Sequence, residues 1–145
     1  MSIVFWIGLW AALIAIYDWR RQRIANAALI VMLVPALLAL FWNGKGLLGA
    51  GPGSSLCGML LAFVVTLPAY PPRVLGAGDV KFAAVLGLLL GLQRTLEMLL
   101  WAALLLGLAA VLMWWLKGSR KARFAAAPAL TLATLLELMG GPLLL

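Results

Sequence analysis

The chain predicts an all-α, polytopic membrane helix bundle with six transmembrane helices and both termini on the non-cytoplasmic side. Three observations carry that expectation. Hydrophobic residues fill 66% of the 145 positions and mean hydropathy is +1.14, far above the usage of an average soluble domain. The apolar residues fall into runs separated by glycine, proline and basic residues. The arginines and lysines between those runs are distributed very unevenly over the two sides that an alternating chain defines.

Taken in order, Ile3 to Tyr17 form the first apolar run, closed by Asp18, Trp19 and the arginines 20, 21 and 23. Ala25-Asn26-Ala27 has the small-x-small look of a signal-peptide cleavage site, but the positive charges follow the run instead of preceding it, so the reading is a retained anchor. Asn26 is the expected N-cap of a second span, Ala27 to Trp42, whose Pro35 a membrane helix tolerates because neighbours satisfy the freed carbonyl. Glycine-rich Asn43 to Ser55 reads as a loop with a short interfacial piece at Leu47-Leu48.

The third span runs from Leu56 to Tyr70 and stops at Pro71-Pro72. The fourth, Val80 to Leu92, gives only about 20 Å of helix against a hydrocarbon core of about 30 Å, which places Asp79 at its head below the membrane surface. Gly91 to Arg94 is read as a turn, Thr95 to Leu116 as the fifth span and Phe124 to Met139 as the sixth, interrupted by Pro128. Residues 1–145 are therefore expected to make one membrane-embedded domain. With the first connection placed in the cytoplasm, that side collects Arg20, Arg21, Arg23, Arg73, Lys81, Lys117, Arg120, Lys121 and Arg123, and the other side only Lys45 and Arg94. The net charge of +7 thus reports membrane orientation, and no basic stripe suggests nucleic acid.

The residues that are missing narrow the chemistry. With no histidine and a single cysteine, Cys57, the chain has no Ser-His-Asp or Cys-His system, no H-E-x-x-H zinc site, no thiolate zinc site and no disulfide. Cys57 is expected to be a small apolar residue facing lipid or the core. Any hydrolysis must fall to the acids, of which there are four.

Asp79 sits in Leu75-Gly76-Ala77-Gly78-Asp79-Val80-Lys81, and an ionisable group near hydrocarbon depth is a functional candidate by default. Gly76 and Gly78 are expected to bend the backbone and admit a substrate main chain. Asp18 stands at the same side, so the first and fourth helices can bring two carboxyls together. Such a pair keeps one proton between its members: one accepts a proton from water while the other polarises the scissile carbonyl. Position alone allows Asp18 to be a partner of the nearby arginines, and Asp79 to be a proton or cation relay in a small carrier. Lys81 points away from Asp79 if the helix has begun and serves as an anchor.

Glu97 and Glu137, near the outer side, are expected at the surface. Tryptophans 19, 42, 114 and 115 fit an interfacial belt, with Trp6, Trp10 and Trp101 packed inside. Gly87 and Gly91, four apart, suit a close helix contact.

Gly76-Ala77-Gly78-Asp79-Val80-Lys81, with Asp18 and Arg23-Ile24-Ala25-Asn26 upstream, resembles the type IV prepilin peptidases, membrane aspartic proteases of the Gly-x-Gly-Asp kind related in motif to presenilin and signal peptide peptidase. The resemblance covers essentially the whole chain. It implies that Asp18 and Asp79 are the catalytic dyad, with Gly76, Gly78 and Lys81 in an active-site loop. Asn26 would support the substrate site, as would Pro128-Ala129-Leu130, which looks like the proline motif of the related intramembrane proteases. In the family's basic segment a proline usually stands where this chain has Ala25.

The large members carry an N-terminal cysteine-bearing domain linked to N-methylation, which this sequence lacks. It is therefore similar to the small peptidases of Flp (tight-adherence) pilus systems. The resemblance implies an aspartic endopeptidase of the bacterial inner membrane, multi-pass, its active site at the cytoplasmic side and without methyltransferase activity. Its substrates would be prepilins or pseudopilins embedded in the lipid bilayer; no cofactor, metal or nucleic acid is implied. A six-span proton- or cation-coupled carrier using Asp79 is the alternative.

Overall fold

The structure is a computed structural model that describes residues 3–21, 26–69, 76–117 and 127–140. Those residues form six α-helices and a short 3-10 turn, with no strand among them. In chain order the helices are α1 (Ile3–Arg21), α2 (Asn26–Asn43), α3 (Pro52–Thr66), α4 (Ala77–Leu90), α5 (Leu92–Lys117) and α6 (Ala127–Gly140), with the 3-10 turn Leu67–Ala69 following α3. The all-helical expectation holds. Two helices are long and apolar enough to cross a membrane, Asn26–Asn43 and Leu92–Leu112, and α1, α3 and α6 hold shorter apolar stretches.

Helix α4 is the axis of the molecule. Val80, Phe82, Ala83, Val85 and every residue from Leu86 to Leu90 are buried, so this helix is apolar all round, as one enclosed by others must be. It packs on α2, α3, α5 and α6. Its closest partner is α3, where small residues at Ser55, Gly58, Ala62 and Thr66 make one buried stripe. Gly58 faces Gly87 there, and the backbones approach so closely that a Cβ built on Gly58 would lie 2.5 Å from the Gly87 carbonyl oxygen.

The sequence pointed to Gly87 and Gly91 as a contact pair, and the structure divides their work. Gly87 receives Gly58. Gly91 reverses the chain between α4 and α5 in a left-handed conformation, φ 78°, which a residue with a Cβ adopts only at a cost.

Several boundaries differ from the reading of the sequence. Helix α3 begins at Pro52 instead of Leu56, because proline is well suited to the first helical turn, where no intrahelical partner exists for its missing N–H. Leu47 and Leu48, expected at an interface, are half-buried and rest against the core. The turn expected over Gly91 to Arg94 shrinks to Gly91 alone. Leu92 already opens α5, and its N–H donates to Ser54 Oγ at 3.0 Å, a cap supplied by α3.

Trp6 was expected inside and is 55% exposed, stacked edge-on with Phe5. Trp10 and Trp101 do pack against the core. Trp42 and Trp115 lie exposed on the outside, whereas the side chains of Trp19 and Trp114 lie outside the described set. Cys57 is exposed.

The largest correction concerns the two glutamates. Glu97 is 5% exposed and Glu137 fully buried, where water was expected to reach both. They face each other between α5 and α6, with Arg94 as the nearby cation. Neither oxygen of Glu137 meets a well-aligned donor. The sequence places both near helix ends, but the packing of α6 on α5 closes that end over them. Two buried carboxyls that share a hydrogen bond must hold a proton between them, so Glu137→Gln, which offers Glu97 an amide donor in the same volume, is expected to melt at or above the wild-type temperature in detergent. A fall of several degrees would show that the pair needs both acids.

Candidate active site

Chain reversals bring the end of α1 and the starts of α2, α4 and α6 to one end of the bundle. Gly8 lies against Leu135 and Thr131 Oγ1 donates to the Ala11 carbonyl at 3.2 Å, so α1 and α6 run antiparallel. Lys81 on α4 reaches Asn26 at the head of α2. Two acids occur among the described residues at this end, Asp18 and Asp79, and both are buried, at 4% and 6% exposure.

Asp79 is the third residue of α4. Its Oδ2 accepts the Gly76 N–H at 2.9 Å, which closes the first helical turn and satisfies one of the donors that every helix start leaves open. The expected active-site loop is therefore helix from Ala77 onward. Gly78 and Lys81 lie in α4, and Gly76 just ahead of it has an extended backbone, φ −78° and ψ 156°, that any residue adopts. A bend that only glycine allows is not used at Gly76; residues 70–75 lie outside the described set.

On its other side Asp79 faces the backbone N–H of Ala127, the first residue of α6, and it lies within the field of the Asp18 charge. Asp79 Oδ1 and Asp18 Oδ2 are buried without a well-aligned partner. Two carboxyls so placed, out of water and near each other, have an oxygen each to spare for a water molecule or a peptide carbonyl. Buried, unpaired charges are expensive, and this kind of expense gathers where chemistry needs it.

The other expected residues fall around this pair. Asn26 opens α2, and its Oδ1 accepts an exposed bond from Lys81 Nζ at 3.4 Å. Pro128, Ala129 and Leu130 form the first turn of α6, directly after the Ala127 amide; Ala129 and Leu130 are buried and Pro128 is half-buried. Arg23, Ile24 and Ala25 lie outside the described residues.

The sequence did not point to Ala127, whose contribution is a backbone amide, nor to Trp10. The indole N–H of Trp10 donates to the Ala28 carbonyl at 2.9 Å, and its ring lies 5.6 Å from that of Phe82. Nothing in a linear reading separates these residues from ordinary packing.

What the fold and this end of it define is an all-helical, strongly apolar protein with two buried carboxyls at one end of a helix bundle. The chain belongs to the Type IV leader peptidase family, whose model matches residues 5–117 and so takes in α1 to α5 and both aspartates. It is a protease of the type IV leader peptidase kind, and the match lends the carrier alternative no support. Comparison with curated proteins and with solved structures gave no match.

Proposed function

We propose that the protein is a membrane aspartic endopeptidase that removes the leader of Flp-type prepilins, with Asp18 and Asp79 activating water as general acid and base. The observation that carries this reading is that the two aspartates are buried at the same end of the bundle, Asp79 within the field of the Asp18 charge. One carboxylate takes a proton from the attacking water while the protonated partner gives its proton to the scissile carbonyl oxygen; the first then passes the water's proton to the leaving amine as the partner recovers a proton from the tetrahedral diol, so the pair ends as it began. The helix starts at Ala77 and Ala127 add backbone N–H groups and the positive ends of two helix dipoles, which favour the negative charge that develops on the carbonyl oxygen. Gly76, Gly78 and Lys81 shape the approach to Asp79, and Asn26 with the Pro128–Leu130 turn supports the substrate.

All six helices cross the bilayer in this proposal, with Asp18 and Asp79 at the cytoplasmic side of the bacterial inner membrane and both termini on the opposite side. An outer belt of exposed apolar side chains supports a lipid-facing surface, among them Phe41, Leu104, Leu108 and Leu112. A prepilin held in the same membrane would present its cytoplasmic leader at the level of the two acids, so that the search for substrate takes place in two dimensions. The reaction of residues 1–145 is cleavage alone, with no methyl transfer.

Co-expression with an Flp-type prepilin tests this directly. The pilin is expected to shift to higher mobility on a gel, and its mass is expected to equal that of the leaderless chain with an unmodified amino terminus. An unprocessed pilin overturns the substrate; an extra methyl on the new terminus overturns the single activity.

A further inference from the structure

Beyond the two acids, side-chain contacts join α1 to α2 and α4. Among the described residues α1 packs its backbone most closely on α6, and α6 packs in turn on α4. Asp18 is on α1 and Asp79 on α4, so α6 holds them in register from one side, and a second connection adds to it. The connection runs through side chains, and it closes a circuit. Trp10 of α1 donates its indole N–H to the Ala28 carbonyl of α2 at 2.9 Å. Asn26, two residues earlier on α2, accepts Lys81 Nζ of α4 at 3.4 Å. Phe82, the next residue on α4 and fully buried, returns to Trp10 through ring contact at 5.6 Å.

Resting on the dyad reading above, we propose that Trp10 is a positioning residue: it bridges α1 to both α2 and α4 and thereby sets where Asp18 stands relative to Asp79. The bridge lies about two helical turns before Asp18 on α1, and Phe82 lies three residues after Asp79 on α4. A shift at the indole is therefore carried along a stiff helix to the carboxyl. Asp79 itself does not depend on Trp10, because the Gly76 N–H fixes it from within its own helix turn. Misplacement of reacting groups by about 1 Å can cost 10²-fold in rate, so a bridge of this kind has leverage on turnover without touching substrate.

The test compares Trp10→Phe and Trp10→Ala with Trp6→Phe, an exposed tryptophan on the same helix, measuring kcat and KM on a prepilin per mole of folded, monodisperse enzyme in detergent. Trp10→Phe keeps a ring against Phe82 and removes the N–H. Its kcat is expected to fall about tenfold with KM within about twofold and melting close to wild type, and Trp10→Ala is expected to fall further. Trp6→Phe should match wild type.

The inference is overturned if Trp10→Phe and Trp10→Ala keep the wild-type kcat, if KM rises while kcat holds, or if activity is lost only in proportion to folded protein. Trp10→Phe keeps the test decisive where Trp10→Ala does not fold. Asp18→Asn, assayed alongside, separates the two ideas: cleavage by that variant removes the dyad, whereas its silence with a fully active Trp10→Phe removes only the bridge.

Discussion

Asp18→Asn and Asp79→Asn are each expected to lower kcat/KM for prepilin cleavage by about 10³-fold or more while leaving the protein folded. The size follows from the role: positioned acid–base catalysis contributes about 10²–10⁴-fold, and each aspartate is asked to hold or take the proton that the other cannot. The folding part follows from geometry. Asp79 also has a structural duty, since its Oδ2 accepts the Gly76 N–H at 2.9 Å, and asparagine keeps a carbonyl oxygen able to accept the same bond. Its charge is removed while the start of α4 is kept. Asp79→Ala would confuse the two effects, because loss of a helix cap costs about 1 kcal/mol in its own right.

Asp18, buried with an unsatisfied Oδ2, loses a charge in a place where charge is expensive, so its asparagine variant is expected to be at least as stable as wild type. The measurement is the initial rate of leader removal by purified enzyme in detergent, paired with the melting temperature of each variant. Normal turnover by either one would end the dyad reading.

How these features could or could not be read in the sequence has a physical basis. Asp18 and Asp79 stand out because a carboxyl next to long apolar runs has few inexpensive explanations, and there are four acids in the chain. Glu97 and Glu137 share that property and were still misread. Their places on the outer side, near Arg94 and near the end of the sixth span, suggest water, and only the lateral packing of α6 on α5, invisible in one dimension, encloses them. The start of α3 was hidden for a different reason. Gly51, Gly53 and the serines after them argue for loop, yet Pro52 opens a helix whose small residues are what let it press against α4.

That stripe of Ser55, Gly58, Ala62 and Thr66, spaced three and four apart, passed unnoticed in the sequence beside the Gly87 and Gly91 pair. It names the helix face but not its partner. Trp10 illustrates the limit: its sequence neighbours mark it as apolar filler, and its bridging role exists only once α2 and α4 have arrived beside it.

Gly58→Ala is expected to be among the most destabilising single methyls that can be added to the described part of this molecule without straining φ, together with Gly87→Ala across the same contact. The new Cβ would lie 2.5 Å from the Gly87 carbonyl oxygen, 2.8 Å from the Gly91 carbonyl carbon and 2.9 Å from Thr95 Oγ1. Two of those three atoms are backbone, so no side chain can swing aside to make room; α3 and α4 must separate. Overpacking of a close-packed core typically costs about 1–3 kcal/mol and sometimes more, and here the upper part of that range is expected.

Separation also disturbs polar contacts, because Thr95 Oγ1 donates to the Gly87 and Gly91 carbonyls at this point. The consequence reaches the acids, since α4 carries Asp79 and cannot move from α3 as a rigid helix without carrying that carboxyl along. Cleavage is therefore expected to fall together with the melting temperature. Gly107→Ala on α5 is the matched control: a Cβ there meets nothing within 4 Å, and replacing a helical glycine with alanine favours the helix by up to about 1 kcal/mol. It should melt no lower than wild type and cleave normally. If Gly58→Ala instead behaves like Gly107→Ala, the contact of α3 with α4 is looser than the two glycines require, and the placement of Asp79 must be fixed from elsewhere.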